Sequence, residues 1–302
     1  MICQTKYLVA WLTRRIVHNK ATREIGFRLA TRARKFYVPR CGGKEFVMRL
    51  HGVSWWINLY WHLESCLFFQ GTLREDCGQI RVFESLLRPD SVIVDVGANI
   101  GFYSLLAASR LRSGVVHSFE PVPVNVERMQ RNIVLNGFDN IVHNPQGVAG
   151  QPGQATLYVP ANDIYDIPNY RSTNAASLHQ GLAPTTTEEV IELITLDDYV
   201  QQQHLTQVDL IKIDVEGAEP GVLEGARALL ARFHPQVLME INTRALKQGG
   251  KTPADIFAFW QEQNYAIYQI DRYGGLRLVE KAEDYIVNDI YEQNVLCRFT
   301  TD

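Results

Sequence analysis

An α/β fold built on a largely parallel, doubly wound sheet is what this sequence of 302 residues predicts. Strand and helix patterns alternate from Ser91 to His143 and resume from Val208 to Phe299, which calls for a parallel sheet with right-handed crossovers. The strands are of the apolar type buried on both faces, the first a continuous run broken only by Asp95. The first runs into a glycine-bearing turn and a helix, and the second ends on the acid Glu120.

From Lys6 to Ala33 the chain has few breakers. It spaces Leu8, Trp11, Leu12 and Ile16, then Ile25, Phe27 and Leu29, as one or two basic amphipathic helices. The favoured reading is an extension packed on its own domain or on a second subunit with a solvated Arg/Lys face; the other is contact with an anionic membrane or a partner. Cys41-Gly42-Gly43 punctuates the chain. From Lys44 to Gly71 an alternation at Phe46, Met48 and Leu50 predicts a short strand or hairpin, followed by an irregular lid-like region. Trp55, Trp56, Tyr60 and Trp61 read as a satellite hydrophobic cluster ahead of an aromatic substrate wall. Glu75 to Leu87 reads as a helix stopped by Arg88-Pro89-Asp90.

The sheet then begins: strand Ser91–Val96, helix Phe102–Ser109, strand Val115–Phe119, helix Val122–Leu135 closed by Asn136-Gly137, and a strand from Ile141. Residues 147–207 break the rhythm and read as an insertion, with a hairpin around Ala155–Val159 and a polar loop from Asn162 to Thr187. Alternation returns with strand Val208–Val215, helix Pro220–Phe233, strand Gln236–Ile241, helix Ala254–Gln263, and closing strands at Ala266–Ile270 and Val295–Phe299. The chain thus divides into a basic helical extension (1–43), an aromatic cap region (44–90) and the main domain (91–302).

Composition narrows the function classes. The net charge is −3, with 46% hydrophobic and 21% charged residues, as in a soluble globular protein. Residues 1–40 carry ten Lys or Arg against the single acid Glu24, or +9, which leaves 20 against 32, or −12, for the rest. An acidic body of that kind argues against broad nucleic-acid binding. The apolar stretch Tyr7–Leu12 is far short of the roughly 20 residues that cross a bilayer. Five cysteines, odd in number and widely spaced, suggest neither a disulfide framework nor a zinc knuckle, and fit a reducing cytoplasm.

The strongest chemical signal is Val92-Ile93-Val94-Asp95-Val96-Gly97-Ala98-Asn99-Ile100-Gly101, with Glu120 placed 19 residues after Gly101. Gly97 and Gly101 permit a tight turn and close approach, and an acid at the tip of the second strand can accept both ribose hydroxyls. Asn99 stands where a pyrophosphate motif wants glycine. The carboxylate of Asp95 suits a ligand with a cationic end, such as S-adenosylmethionine, over a nicotinamide dinucleotide.

The run Asp95 to Ser104, then Phe119-Glu120-Pro121, Thr195-Leu196-Asp197, Asp209-Leu210-Ile211-Lys212-Ile213-Asp214-Val215-Glu216-Gly217-Ala218-Glu219, Val222 to Ala226 and Pro235 to Glu240 resembles the FkbM family of S-adenosylmethionine-dependent methyltransferases over about residues 70–242. The resemblance implies a class I methyltransferase (Rossmann-like) sheet of about seven strands with the last antiparallel. It also implies O-methylation of a small-molecule acceptor, a hydroxyl on a sugar or natural product. The donor-binding set is then Asp95, Gly97, Ala98, Asn99, Gly101, Glu120, Pro121 and Val148. Members often carry Ala-Val-Gly-Asp where this chain has Val148-Ala149-Gly150-Gln151, so the family's side-chain contact to the adenine is not carried over.

Asp214 and Glu216 share a strand face with Lys212 at the carboxyl edge of the sheet, and Glu240 ends the next strand. These acids are the candidate catalytic groups. One could act as base on the acceptor hydroxyl, although in-line positioning of oxygen, methyl and sulfur, worth roughly 7 to 11 kcal/mol in well-oriented reactants, carries more of the rate. The competing reading pairs Lys212 with Asp95 or Asp214 as support for the turn. A divalent cation on Asp214 and Glu216 is the less favoured alternative, and no metal site is assigned. Ser177 and His179 are loop residues within reach of substrate or bystanders. The competing functions are a nicotinamide-dependent oxidoreductase on a related fold and a noncatalytic scaffold.

Overall fold

The architecture is taken from a computed structural model, which describes residues 2–73, 76–160, 171–173, 176–181, 186–285, 287 and 293–300. Helices α1 (Ile2–His18) and α2 (Arg23–Cys41) double back on each other. Lys6, Ala10, Thr13 and Val17 face inward from the first, and Phe27, Ala30, Arg34 and Val38 from the second. The second helix runs past its expected end to Cys41, where Gly42 caps it, and tolerates Pro39 in its last turn. The hairpin also corrects the reading of the cysteines: it sets Cys3 beside Cys41, and the two form a disulfide with Cα atoms 5.6 Å apart. Thirty-eight residues separate them along the chain, so their proximity is visible only once the helices pair.

Strands β1 (Phe46–Leu50) and β2 (Val53–Ile57) form the expected hairpin. The expected irregular region is instead α3 (His62–Gln70), buried from Leu63 to Gln70. A helix enclosed on all sides has no polar stripe, so its period does not show in the sequence. Trp55 belongs to the principal core and not to a satellite cluster. Helix α4 (Cys77–Leu86) follows.

The main sheet opens with β3 (Val92–Val96), α5 (Phe102–Ala108), β4 (Val115–Phe119), α6 (Pro123–Asn136) and β5 (Ile141–Asn144). Side-chain amides of α6 bind the backbone of β2: Asn136 Oδ1 accepts from Ser54 N at 2.8 Å and Asn132 Oδ1 from Trp56 N at 2.9 Å. The cap region is thereby hydrogen-bonded to the sheet domain.

The insertion contributes β6 (Gly147–Val148), β7 (Gly153–Pro160) and β8 (Thr186–Ile194), a small separate sheet in which β7 and β8 are the expected hairpin. Most of the polar loop from Asn162 to Thr187 lies outside the described residues. After α7 (Leu196–Gln202) come β9 (Leu210–Ile213), α8 (Glu219–Glu224), α9 (Arg227–Phe233) and β10 (Gln236–Glu240). The single helix expected from Pro220 to Phe233 is broken at Gly225, where a Cβ would stand 2.2 Å from the carbonyl oxygen of Ala149. The chain closes with α10 (Thr243–Gln248), α11 (Pro253–Glu262), β11 (Tyr265–Ile270), β12 (Leu276–Val279) and β13 (Asn294–Phe299).

The large sheet has the order β12-β11-β13-β10-β9-β3-β4-β5. Strands β5, β4, β3, β9 and β10 are mutually parallel, and β13 is antiparallel between β10 and β11. This is the class I arrangement expected, with β12 added as an eighth strand hairpinned onto β11. One apolar core lies on each face. The chain leaves β3 in one direction and returns to β9 on its other side, so the topological switch point, where such sheets bind ligands, lies between the carboxyl ends of β3 and β9.

Candidate active site

At that switch point lies a cavity of about 430 Å³, within the roughly 300–1,000 Å³ range of small-molecule sites. Of the residues singled out from the sequence, Gly97, Ala98, Asn99, Glu120, Pro121, Val148, Asp214, Glu216 and Glu240 line it. Asp95 and Gly101 do not. Asp95 is buried in β3 beside Lys212 of β9, accepts from Ser104 Oγ at 2.5 Å, and carries a carboxyl pushed above its usual value by burial. It supports the wall of the cavity from behind. Gly101 adopts φ +87°, and a Cβ there would meet Leu105 at 2.4 Å and Met129 at 2.8 Å, so its role is close packing of α5 on α6. Gly97 is constrained more severely still. With φ +80° and a Cβ position 1.9 Å from the Asp214 carbonyl oxygen, it lets the turn after β3 rest directly on the turn after β9.

The amides of the β3 turn are all engaged within the protein. Gly97 N and Ala98 N donate to the Phe119 carbonyl (3.0 and 2.9 Å), and Gly101 N donates to that of Ala98 (2.8 Å). Asn99 N donates to Glu120 Oε2 (2.8 Å) and Ile100 N to the Asn99 side chain (2.9 Å). Asn99 takes φ +52°, a left-handed conformation that asparagine tolerates. The other oxygen of Glu120 accepts from Val122 N and Asn125 Nδ2, each at 3.0 Å. Glu120 is thus fixed at the lip of the turn by three donors, while burial raises its carboxyl above the ordinary value against their pull. Beside it an apolar wall of Phe119, Val148, Leu157 and Ile191 offers a face for a planar ring.

Across the cavity sit the acids. Strand β9 ends at Ile213, so Asp214 and Glu216 belong to the following turn and not to a strand face, and Glu216 itself has φ +49°. The turn is held by Ser177 Oγ, which donates to the Glu216 carbonyl at 2.7 Å, and by Glu219, which accepts from Gly217 N at 3.1 Å. Lys212 Nζ lies 2.9 Å from Asp214 Oδ2, the pairing one sequence reading anticipated. Burial raises the Asp214 carboxyl, but the Lys212 charge and its hydrogen bond outweigh this and hold it below the usual range. Burial and the Asp214 charge push Glu216 up to about 8, and they push Glu240 well above its ordinary value. The cluster therefore sets one carboxylate held ionised by its lysine against two carboxyls whose protonated forms burial favours.

Asp214, Glu216 and Glu240 each offer an oxygen within 4.8 Å of the others, a spacing that could take a hard cation. The donor set fits one poorly, because Lys212 already supplies the compensating positive charge. Further lining groups went unnoticed in the sequence: His62, Asp76, Asn242, Arg244 and Gln293. Asn242, whose amide donates to Glu216 Oε2 at 3.1 Å, follows a strand end and was within reach of the rule that found Glu240. Arg244 follows two residues later, in the helix that Asn242 caps, and His62, Asp76 and Gln293 come from separate segments without a motif. His179 is not among the lining residues; its ring packs at Gly249.

The sequence pattern of the Methyltransferase FkbM domain matches residues 95–267, more than half of the chain, and the protein belongs to this family. Methyltransferase 1 of Beauveria bassiana is 30% identical over 149 residues, 45% of this chain and 58% of that protein. The 31-O-demethyl-FK506 methyltransferase FkbM of Streptomyces tacrolimicus is 30% identical over 158 residues, 46% of this chain and 60% of that one. The chain thus spans less than two thirds of the length of these relatives. Among solved structures, methyltransferase FkbM of Methylobacillus flagellatus aligns with a TM-score of 0.44 at 14% identity, over 96% of this chain and 58% of its own.

Proposed function

We propose that the protein transfers a methyl group from S-adenosylmethionine to a hydroxyl of a small molecule, in the class of sugars and natural products. The observation that carries this reading is the pairing, in one cavity, of an anchored Glu120 beside an apolar wall with a carboxylate cluster on the opposite side. Glu120 and the wall of Phe119 and Val148 suit an adenosine, the acid taking the ribose hydroxyls. The sulfonium, a single positive charge, would face the Asp214 carboxylate, with Glu216 able to ionise beside it. A pyrophosphate finds nothing here, because each amide from Gly97 to Gly101 is already bonded, and helix-turn phosphate sites depend on open N–H groups. That disfavours a nicotinamide dinucleotide.

The bound donor supplies an electrophilic methyl that needs no further activation. The chain's own residues supply position and proton acceptance. Asp214, held ionised by Lys212, orients the acceptor hydroxyl, and Glu216 takes its proton once ionised. Asn242 keeps the Glu216 carboxyl aimed at the cavity. The Streptomyces tacrolimicus relative is named for methylation at an oxygen, and a Haloferax volcanii relative, 27% identical over 186 residues, is named a hexuronic acid methyltransferase; both names support a hydroxyl-bearing acceptor. Incubation of the protein with deuterated donor and a cell extract, followed by mass spectrometry, should reveal a hydroxylated small molecule gaining one labelled methyl. Label confined to RNA or protein would refute the acceptor class.

A further inference from the structure

The outer face of the α1–α2 hairpin is unlike a solvated charged surface. Leu8, Trp11, Leu12, Ile25, Leu29 and Phe36 stand on it, exposed by between 37% (Leu29) and 59% (Leu8). Their spacing follows the helical period, opposite to the inward-facing Ala10, Thr13, Val17, Ala30 and Val38. Exposed cations are interleaved with them: Arg15, Arg28, Arg32, Lys35 and Arg40. The Arg15 guanidinium lies 4.6 Å over the Trp11 ring, and that of Arg40 4.3 Å over Phe36. The segment's one acid, Glu24, is paired with Arg272. The face is kept in one piece by the Cys3–Cys41 bond across its open end.

We propose that this face docks the protein on the surface of an anionic phospholipid bilayer. The six apolar side chains enter the boundary between headgroups and acyl chains, and the arginines and lysines remain among the phosphates, the division of labour of helices that lie in the interface plane. Charge complementarity selects this occupant. The +9 carried by residues 1–40 attracts a negative leaflet. In a two-fold dimer the same patch meets itself, so identical cationic faces would oppose each other. Nucleic acid could use the cations, and stacked bases the aromatic rings, but Leu8, Leu12, Ile25 and Leu29 would remain in water. Neither helix is long and apolar enough to cross a membrane, so the mode is lying on the surface.

The test is co-sedimentation of the full chain with phosphatidylcholine vesicles, with and without about 30% phosphatidylglycerol, at about 0.1 M salt, where the Debye length is about 10 Å. Binding should require phosphatidylglycerol and fall at about 1 M salt. It should drop about tenfold or more in Arg28→Glu/Arg32→Glu/Lys35→Glu, and likewise in Leu8→Ser/Leu12→Ser, with the melting temperature of each variant close to that of the parent. Trp11→Phe should keep binding while losing the blue shift of tryptophan emission that vesicles induce in the parent. The proposal fails if the parent ignores phosphatidylglycerol vesicles or if the triple charge reversal binds them as well as the parent. It also fails if transfer RNA displaces the protein from vesicles at lower concentration than it binds lipid, or if light scattering shows a dimer that the leucine variant dissolves while vesicles stay unbound.

Discussion

In the proposed reaction, proton acceptance rests on Glu216. Its carboxyl, lifted to about 8 by burial and then by Asp214, is protonated when folded and ionised when unfolded between the ordinary carboxylate value and 8. The folded state therefore binds the extra proton, and stability is full below the unfolded value and lost as pH rises toward 8. Melting temperature should fall from pH 5 to pH 8, and Glu216→Gln should flatten that fall; a parent that gains stability over this range contradicts the assignment. Turnover should move the other way, rising about fivefold between pH 7 and 8 as the base ionises. Asp214→Asn and Glu216→Gln should each lower the rate by about 10²-fold while binding donor within a few-fold. Because Lys212 supplies the charge a cation would bring, a chelator should leave activity unchanged, and loss restored by magnesium would assign the three acids to an ion. Glu120, held by three N–H donors, is proposed to bind the methyl donor instead: Glu120→Ala should weaken that binding by at least about tenfold, since bonds to a charged acceptor are worth about 1.5–3 kcal/mol.

Elements became legible in the sequence in proportion to how one-sided or how continuous their burial is. Strands β3, β4 and β9 are buried almost throughout and mostly apolar, broken only by Asp95, by His117 and Ser118, and by Lys212, and α6 announces itself with Pro123 at its start and Gly137 after its end. Helix α3, buried on all sides, and β12, with Leu276, Arg277 and Leu278 exposed, show neither period. The same physics explains the misplacement of Asp95: a strand buried on both faces does not reveal which face a residue takes. Gly97, Glu120 and the acids after β9 were legible because strand ends in this topology converge, whereas His62, Asp76 and Gln293 arrive from elements that no motif links. The amides of α6 make the cap region part of the same unit. Asn132→Ala leaves Trp56 N–H without its acceptor and should lower stability by about 1–3 kcal/mol, read as a lower denaturant midpoint with donor affinity unchanged.

At the scale of the whole molecule, the switch point between β3 and β9 gathers the site, and the two helices at the start of the chain form a separate face. The disulfide closing that hairpin spans 38 residues, and a loop of that length restrains the unfolded chain by about 4 kcal/mol in the entropy picture. Reduction should lower the melting temperature without altering donor affinity, because neither cysteine lines the cavity. The central claim is that this cavity holds the adenosine and sulfonium of a methyl donor. Isothermal titration with S-adenosylhomocysteine and with NAD⁺ tests it most directly. The account predicts saturable heat with S-adenosylhomocysteine, none with NAD⁺, and loss of the former in Glu120→Ala. Saturable binding of NAD⁺ by the folded protein, with S-adenosylhomocysteine silent, would contradict it.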